Sequence, residues 1–235
     1  MKDITLDGDP PILLKLRRSA RARRLSLRVS QLDGRVTLTL PARLPEGEAL
    51  SFAHSKQEWI RDHLAARAAD VVVAWDAQVP VAGDLRRVVP GRGRSVVLGA
   101  QQIGVPGKDA QVGPRLAAYL RGLARDQLVI ACDAYAARLG RPYARITLRD
   151  TRSRWGSCTS TGNLMFSWRL IMAPPEVLAY VAAHEVAHLA QMNHSPAFWA
   201  EVERIYGPYA APRKWLRVQG AQLHRYRFDA VRGDG

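Results

Sequence analysis

Cysteine is scarce in this chain. Its 235 residues include two, Cys132 and Cys158, too few for a disulfide framework and suited to a reducing compartment, so no structural disulfide is expected. No apolar run approaches the roughly 18 residues of a membrane span, and the start, Met1-Lys2-Asp3-Ile4, lacks the apolar stretch of a secretory signal. The expectation is a cytoplasmic protein with no membrane partner. Acidic residues are also short, 21 against 35 basic ones, giving a net charge of +14. That balance favours an anionic partner through long-range attraction, nucleic acid first. Yet nearly all the basic residues are arginines spread along the chain, as arginine-favouring codon usage would leave them, and no recognised DNA-binding motif is present.

The densest basic cluster, Arg17, Arg18, Arg21, Arg23, Arg24 and Arg28, would attract phosphate if its side chains shared one face. As a solvated strand edge it would do nothing, and that reading is slightly favoured. With 47% hydrophobic residues, the chain can bury a core as one large domain or two small ones.

Hydrophobic periodicity predicts a β-rich start. Ile12 to Leu16, Leu25 to Val29 and Arg35 to Leu40 alternate at a period of two, with Asp33-Gly34 as a hairpin signal. Pro45-Glu46 opens a helix to about Ala69 that carries His54 and His63, nine residues apart and so unable to share a face as a second metal site. Strands return from Val71 to Val105. Gly91-Arg92-Gly93 within them lacks the remaining glycines and the Lys-Ser/Thr pair of a phosphate loop. The Gly-, Pro- and charge-rich Lys108 to Pro114 is the expected boundary, dividing a β-rich region with one helix, 1–108, from a second domain, 109–235. There, a long helix from Pro114 should end at Gly140 behind the motif helix, and Arg145 to Arg149 and Asn163 to Leu170 read as strands.

The feature with most chemistry is His184-Glu185-Val186-Ala187-His188, followed by His194. Residues four apart on a helix differ by about 40° around the axis and about 6 Å along it, so His184 and His188 can face one ion. Glu185 is then offset from the metal but within reach of a water beside it, where it can act as general base. His194 would lie about 9 Å farther up a continuing helix, so the helix must stop. Asn193 tolerates the left-handed conformation that ends helices, and Pro196 pushes Ser195 out of helical geometry. With Pro174-Pro175-Glu176 as the start, the helix should run roughly 174–192, and Ser195-Pro196 should begin another that braces the His194 turn and ends at Gly207-Pro208. Glu201 and Glu203 are the alternative third ligands. The spacing of His194 equals that of metzincins, but Gln191 stands where their pattern has glycine.

Arg154-Trp155-Gly156-Ser157-Cys158, Asn163 to Leu170, Ala173-Pro174-Pro175-Glu176, the histidine motif and Met192-Asn193-His194-Ser195 together resemble the YgjP-like metallopeptidase family, relatives of SprT-type zinc proteases. The similarity is strongest from about 145 to 225, with the amino-terminal half also alike. It implies an α+β fold with a zincin-like domain of helices on a small sheet, Zn2+ held by His184, His188 and His194, Glu185 as catalytic acid/base, and a protein or peptide substrate that one strand beside the metal helix could hold in extended form.

The chemistry expected is peptide-bond hydrolysis, with Tyr206, Tyr209, Arg154 and His224 as open choices for stabilising the oxyanion. One rival is a nucleic-acid-binding module with a structural zinc, which needs a fourth ligand such as Cys158 or His224 and leaves Glu185 without a purpose. Another is an SprT-type protease acting on DNA-bound proteins, which the +14 charge would suit. A nucleophilic Cys158 has no companion motif.

Overall fold

The computed structural model describes residues 2–30, 33–65 and 68–229, and the chain divides into two compact units, Met1–Ala69 and Asp70–Gly235.

In the first unit, β1 (Lys2–Leu6), β2 (Ile12–Ser19), β3 (Ser26–Val29) and β4 (Val36–Pro41) form a sheet of order β1-β2-β4-β3. β2 and β4 run parallel, and the other neighbours are antiparallel. The period-two pattern buries Ile12, Leu14 and Leu16 of β2 and Val36, Leu38 and Leu40 of β4 on one face, where Ala49, Ala53 and Ile60 join them. The hairpin expected at Asp33-Gly34 joins β3 to β4, with Gly34 at φ 68° donating to the Ser30 carbonyl. One long helix was expected next, but the chain breaks at Lys56 (φ −107°) into α1 (Glu46–Ser55) and α2 (Gln57–Ala65). The six clustered arginines are all exposed, and Arg28 lies on β3 at the sheet's edge. Arg18 donates to the carbonyls of Ala42 and Leu44 at 2.9 and 2.8 Å.

The second unit begins with β5 (Val71–Val72), then β6 (Gln78–Val81), β7 (Asp84–Pro90), β8 (Val97–Leu98) and β9 (Gln102–Val105), the last four in a sheet of order β6-β7-β9-β8. After a 3-10 turn at Asp109–Gln111, α3 (Val112–Leu139) ends at Gly140, whose φ of 73° places its N–H on the carbonyls of Ala136 and Ala137. Val79, Val81, Val88, Ile103 and Val105 share one buried core with Leu116, Leu120 and Leu128 of α3. The strands of 71–105 therefore lie in the unit of the long helix, whereas composition had drawn the boundary at 108.

β10 (Arg145–Arg149), β11 (Gly156–Cys158) and β12 (Asn163–Ser167) form a sheet of order β10-β12-β11, with β11 as an antiparallel edge. The strand expected to reach Leu170 stops at Ser167, and Trp168–Met172 coil into a buried 3-10 turn. Then come α4 (Pro175–Ala187), packed on α3, α5 (Pro196–Tyr206) and α6 (Ala210–Gln219). α6 had no apolar run to announce it; Trp215 and Leu216 are its partly buried side. A 3-10 turn, Gly220–Arg225, leads to β13 (Tyr226–Arg227), which pairs in parallel with β5. The architecture is a mixture of helices and several small sheets.

Buried Arg169 anchors this last segment. Its Nε and Nη2 donate to the two carboxylate oxygens of Asp150 at 2.6 and 3.1 Å, and its Nη1 to the carbonyls of Leu223 and Tyr226 at 2.9 and 3.0 Å. Though partial burial opposes it, the guanidinium holds the Asp150 carboxyl below its ordinary range. Among the described residues, no helix is long and apolar enough to cross a membrane.

Candidate metal centre

α4 starts as its sequence dictates: Pro175 occupies the first turn, where a missing N–H costs nothing, and Glu176 sits at the positive end of the dipole. It ends at Ala187, earlier than the expected 192. Beyond it the backbone tightens into three-residue steps, Leu189 N–H to Val186 O and Ala190 N–H to Ala187 O. Nor does Asn193 adopt a left-handed backbone; among the described non-glycine residues only Asp76 and Ala82 have positive φ. Its side chain makes the turn instead, Oδ1 accepting from Ser195 N–H at 3.2 Å. Ser195 then caps α5, its Oγ accepting from Phe198 N–H at 3.4 Å.

This early stop brings the three imidazoles together. His184, His188 and His194 each present a ligand atom, and these atoms lie within 4.8 Å of one another. The Nε2 atoms of His184 and His194 approach to 3.0 Å. His188 Nδ1 lies 2.9 Å from the Gln191 carbonyl; since a carbonyl only accepts, Nδ1 carries the proton and Nε2 keeps its lone pair for another partner. Burial and the neighbouring imidazoles hold His184 down to about 3, and burial lowers His188, so these rings are neutral, as metal ligation requires. An all-imidazole set with Zn–N bonds of about 2.0–2.1 Å suits zinc. The three side chains fit one such ion.

Phe198, fully buried on α5, supports all three rings. Its centroid lies 4.4 Å from that of His188, 4.8 Å from His194 and 4.9 Å from His184. Trp199 adds a second wall 5.7 Å from both His184 and His194, Tyr209 stacks on Trp199 at 5.1 Å, and Tyr180 lies 5.9 Å from His184. α5 thus braces the His194 turn.

Glu185 is 5% exposed and lies against β11. A Cβ on Gly156 would come within 2.5 Å of its Oε1, so the carboxyl occupies the space that residue leaves. Burial pushes Glu185 up to about 8, against the pull of the Arg154 charge. The site therefore joins the neutral imidazoles of His184 and His188, and the ring of His194 beside them, to a desolvated carboxyl that can take up or release a proton near neutral pH.

The other candidates scatter. Glu201 pairs with Arg204 at 2.6 Å, and Glu203 is exposed. Among the described residues neither joins the metal-binding group, nor do Cys158 and His224. Cys158 Sγ faces the Thr159 carbonyl, and burial pushes its thiol up to about 11, far from a reactive thiolate. Both cysteines are free. His224 is buried 5.1 Å from Trp155. Tyr206 donates to the Glu176 carbonyl. Of the four oxyanion candidates, Arg154 acts on the site through its charge on Glu185, and Tyr209 and Tyr206 join the aromatic wall, Tyr209 on Trp199 and Tyr206 at 5.8 Å from Tyr180. His54 lies on α1, while His63 accompanies Trp59 on α2.

Sequence reasoning placed Phe198 and Trp199 only within the helix expected to brace the His194 turn, and gave no role of their own to Gly156 or Arg213. A glycine within a strand does signal a close approach, but nothing local says to what. Arg213, whose guanidinium lies 4.4 Å from the Trp199 ring centroid, belongs to the unforeseen α6.

The family profile described as YgjP-like, metallopeptidase domain matches residues 23–219. No curated protein matches the chain. Among solved structures, the metallopeptidase zymogen of Pyrococcus abyssi abylysin is similar at 21% identity, covering 39% of this chain and 95% of its own, with a TM-score of 0.35, too slight a likeness to carry an argument.

Proposed function

This chain belongs to the YgjP-like metallopeptidase family, and we propose that it hydrolyses peptide bonds with zinc held by His184, His188 and His194 and with Glu185 as general base and acid. The observation that carries this reading is the convergence of the three imidazoles beside a carboxyl seated over Gly156. A zinc ion there would supply a Lewis acid for the scissile carbonyl and would acidify a neighbouring water.

The chain's own residues do the rest. Glu185 accepts the proton of the attacking water and returns it to the amine as the C–N bond breaks, so the carboxyl ends as it began. Gly156 gives that carboxyl its place, the Gln191 carbonyl fixes the tautomer of His188, and Phe198 holds the rings. The three-stranded sheet beside α4 supports a zincin-like reading of the domain. Three ligands rather than four favour an open, catalytic site over a structural one, because Cys158 and His224 are engaged elsewhere.

Metal content and casein hydrolysis, measured on wild type and Glu185→Gln, test the proposal. One zinc per chain in both, with cleavage lost by a factor of about 10² to 10⁴ in the variant, is the expected result. Equal cleavage by both, or no bound metal in the wild type, overturns it.

A further inference from the structure

α6 carries Arg213, Lys214 and Arg217 and no acidic residue. The three cations line a cleft of about 640 Å³ together with Tyr209, and Glu203 is the only acid in its wall. Among the described residues, no carboxylate pairs with any of the three. Like charges at i, i+4, as at Arg213 and Arg217, weaken a helix, and the one stabilising contact found for them within the described residues is that of Arg213 with Trp199. Arg213 also lies 4.4 Å from the Trp199 ring centroid, and Trp199 lies 5.7 Å from His184 and His194. A guanidinium held over an aromatic ring by its charge still has N–H donors for a bidentate carboxylate, and among the described residues no hydrogen-bond acceptor engages those of Arg213.

We propose that this cleft is a carboxylate-binding subsite of the same peptidase centre, so that peptides carrying a carboxylate near the scissile bond are its preferred substrates. The proposal rests on the peptidase reading above. Carboxylates of Asp or Glu side chains and the carboxylate of a chain terminus share this chemistry. A phosphate backbone fits less well: it needs cations laid out along a path, whereas here three are gathered in one concavity with Glu203 in its wall.

The test is fluorescence anisotropy on the full chain stripped of metal with EDTA, with three labelled octapeptides: a glutamate-centred one with an amidated terminus, a glutamine-centred one with a free terminus, and a glutamine-centred one with an amidated terminus. The expected result is at least tenfold tighter binding of the glutamate peptide than of the fully neutral one. That margin should vanish in Arg213→Glu/Arg217→Glu and in the milder Arg213→Gln/Arg217→Gln. It should survive in Arg23→Glu/Arg24→Glu, which changes net charge equally in the other unit. If the free-terminus peptide alone gains affinity, with the same dependence on Arg213 and Arg217, the subsite stands and takes chain ends. Equal binding of all three peptides, or a margin that persists in both pocket variants, overturns it. So does tighter binding of a single-stranded oligonucleotide that depends on the same arginines. Casein hydrolysis by the metal-loaded wild type reads the peptidase reading separately, so either can fail without the other.

Discussion

Gly156 and Glu185, on an edge strand and on the helix beside it, share a space that holds one side chain: a Cβ on Gly156 would stand 2.5 Å from Oε1 and 2.6 Å from Cγ of Glu185. Gly156→Ala should therefore displace the carboxyl and leave the three imidazoles in place. A shift of about 1 Å in a proton-transferring group can cost about a hundredfold. Casein hydrolysis should fall by that order with metal content unchanged; full activity in the variant would show that Glu185 tolerates the displacement.

Phe198 touches all three histidine rings and is fully buried. Truncation to alanine leaves a cavity beneath them and should cost about 3–5 kcal/mol of stability. Freed rings should also bind metal about tenfold more weakly, a typical effect of losing a group that orients ligands. Thermal melting reads the first effect, and competition with a zinc chelator reads the second.

The ion pair of Arg169 with Asp150 is buried mainly on the arginine side, where side-chain exposure is 9% against 39%. Arg169→Met strips Asp150 of its partner and leaves the Leu223 and Tyr226 carbonyls without their donor. The loss should be about 3 kcal/mol, the lower end for a broken buried pair because Asp150 is still reached by water. Urea unfolding checks this, and Asp150→Asn should cost less, since Arg169 keeps both carbonyls.

His224 gives a pH dependence of opposite origin to that of a stabilising ion pair. Burial, with Arg169 and Arg152 nearby, lowers it from 6.5 to about 4, against the opposing charge of Asp150. The unfolded chain therefore takes up the proton first. The contribution is fully present above pH 6.5 and is lost as pH falls toward 4, by up to about 3 kcal/mol. The carboxyl of Asp150, held below its ordinary 3.8 by Arg169, adds stability that disappears only at pH below that value. Urea unfolding from pH 7 to 4.5 should show a smaller loss in His224→Phe than in wild type; identical slopes would exclude His224 as the source.

The short-range parts of this protein were legible because their physics is local. Helical spacing puts His184 and His188 on one face, Pro175 and Glu176 begin their helix, and Ser195-Pro196 begins the next. Alternation in Ile12 to Leu16 and Val36 to Leu40 marks strands with one buried face. Where local rules failed, other interactions had more to offer. The motif helix stops at Ala187 because the chain tightens around the His188 to Gln191 bond. The strands of 71–105 join the second unit because their apolar residues fill the core of α3.

By itself, then, the sequence determined that His184 and His188 share a helix face with Glu185 offset between them and that a turn carries His194 beyond them, because helical spacing and turn-forming residues act locally. Tertiary structure alone decided what surrounds those residues. Phe198 beneath the rings, Gly156 across from Glu185 and Arg213 over Trp199 are juxtapositions of separate elements. Packing brings such elements together through total buried area and shape, and no local pattern in the chain records which residues will meet.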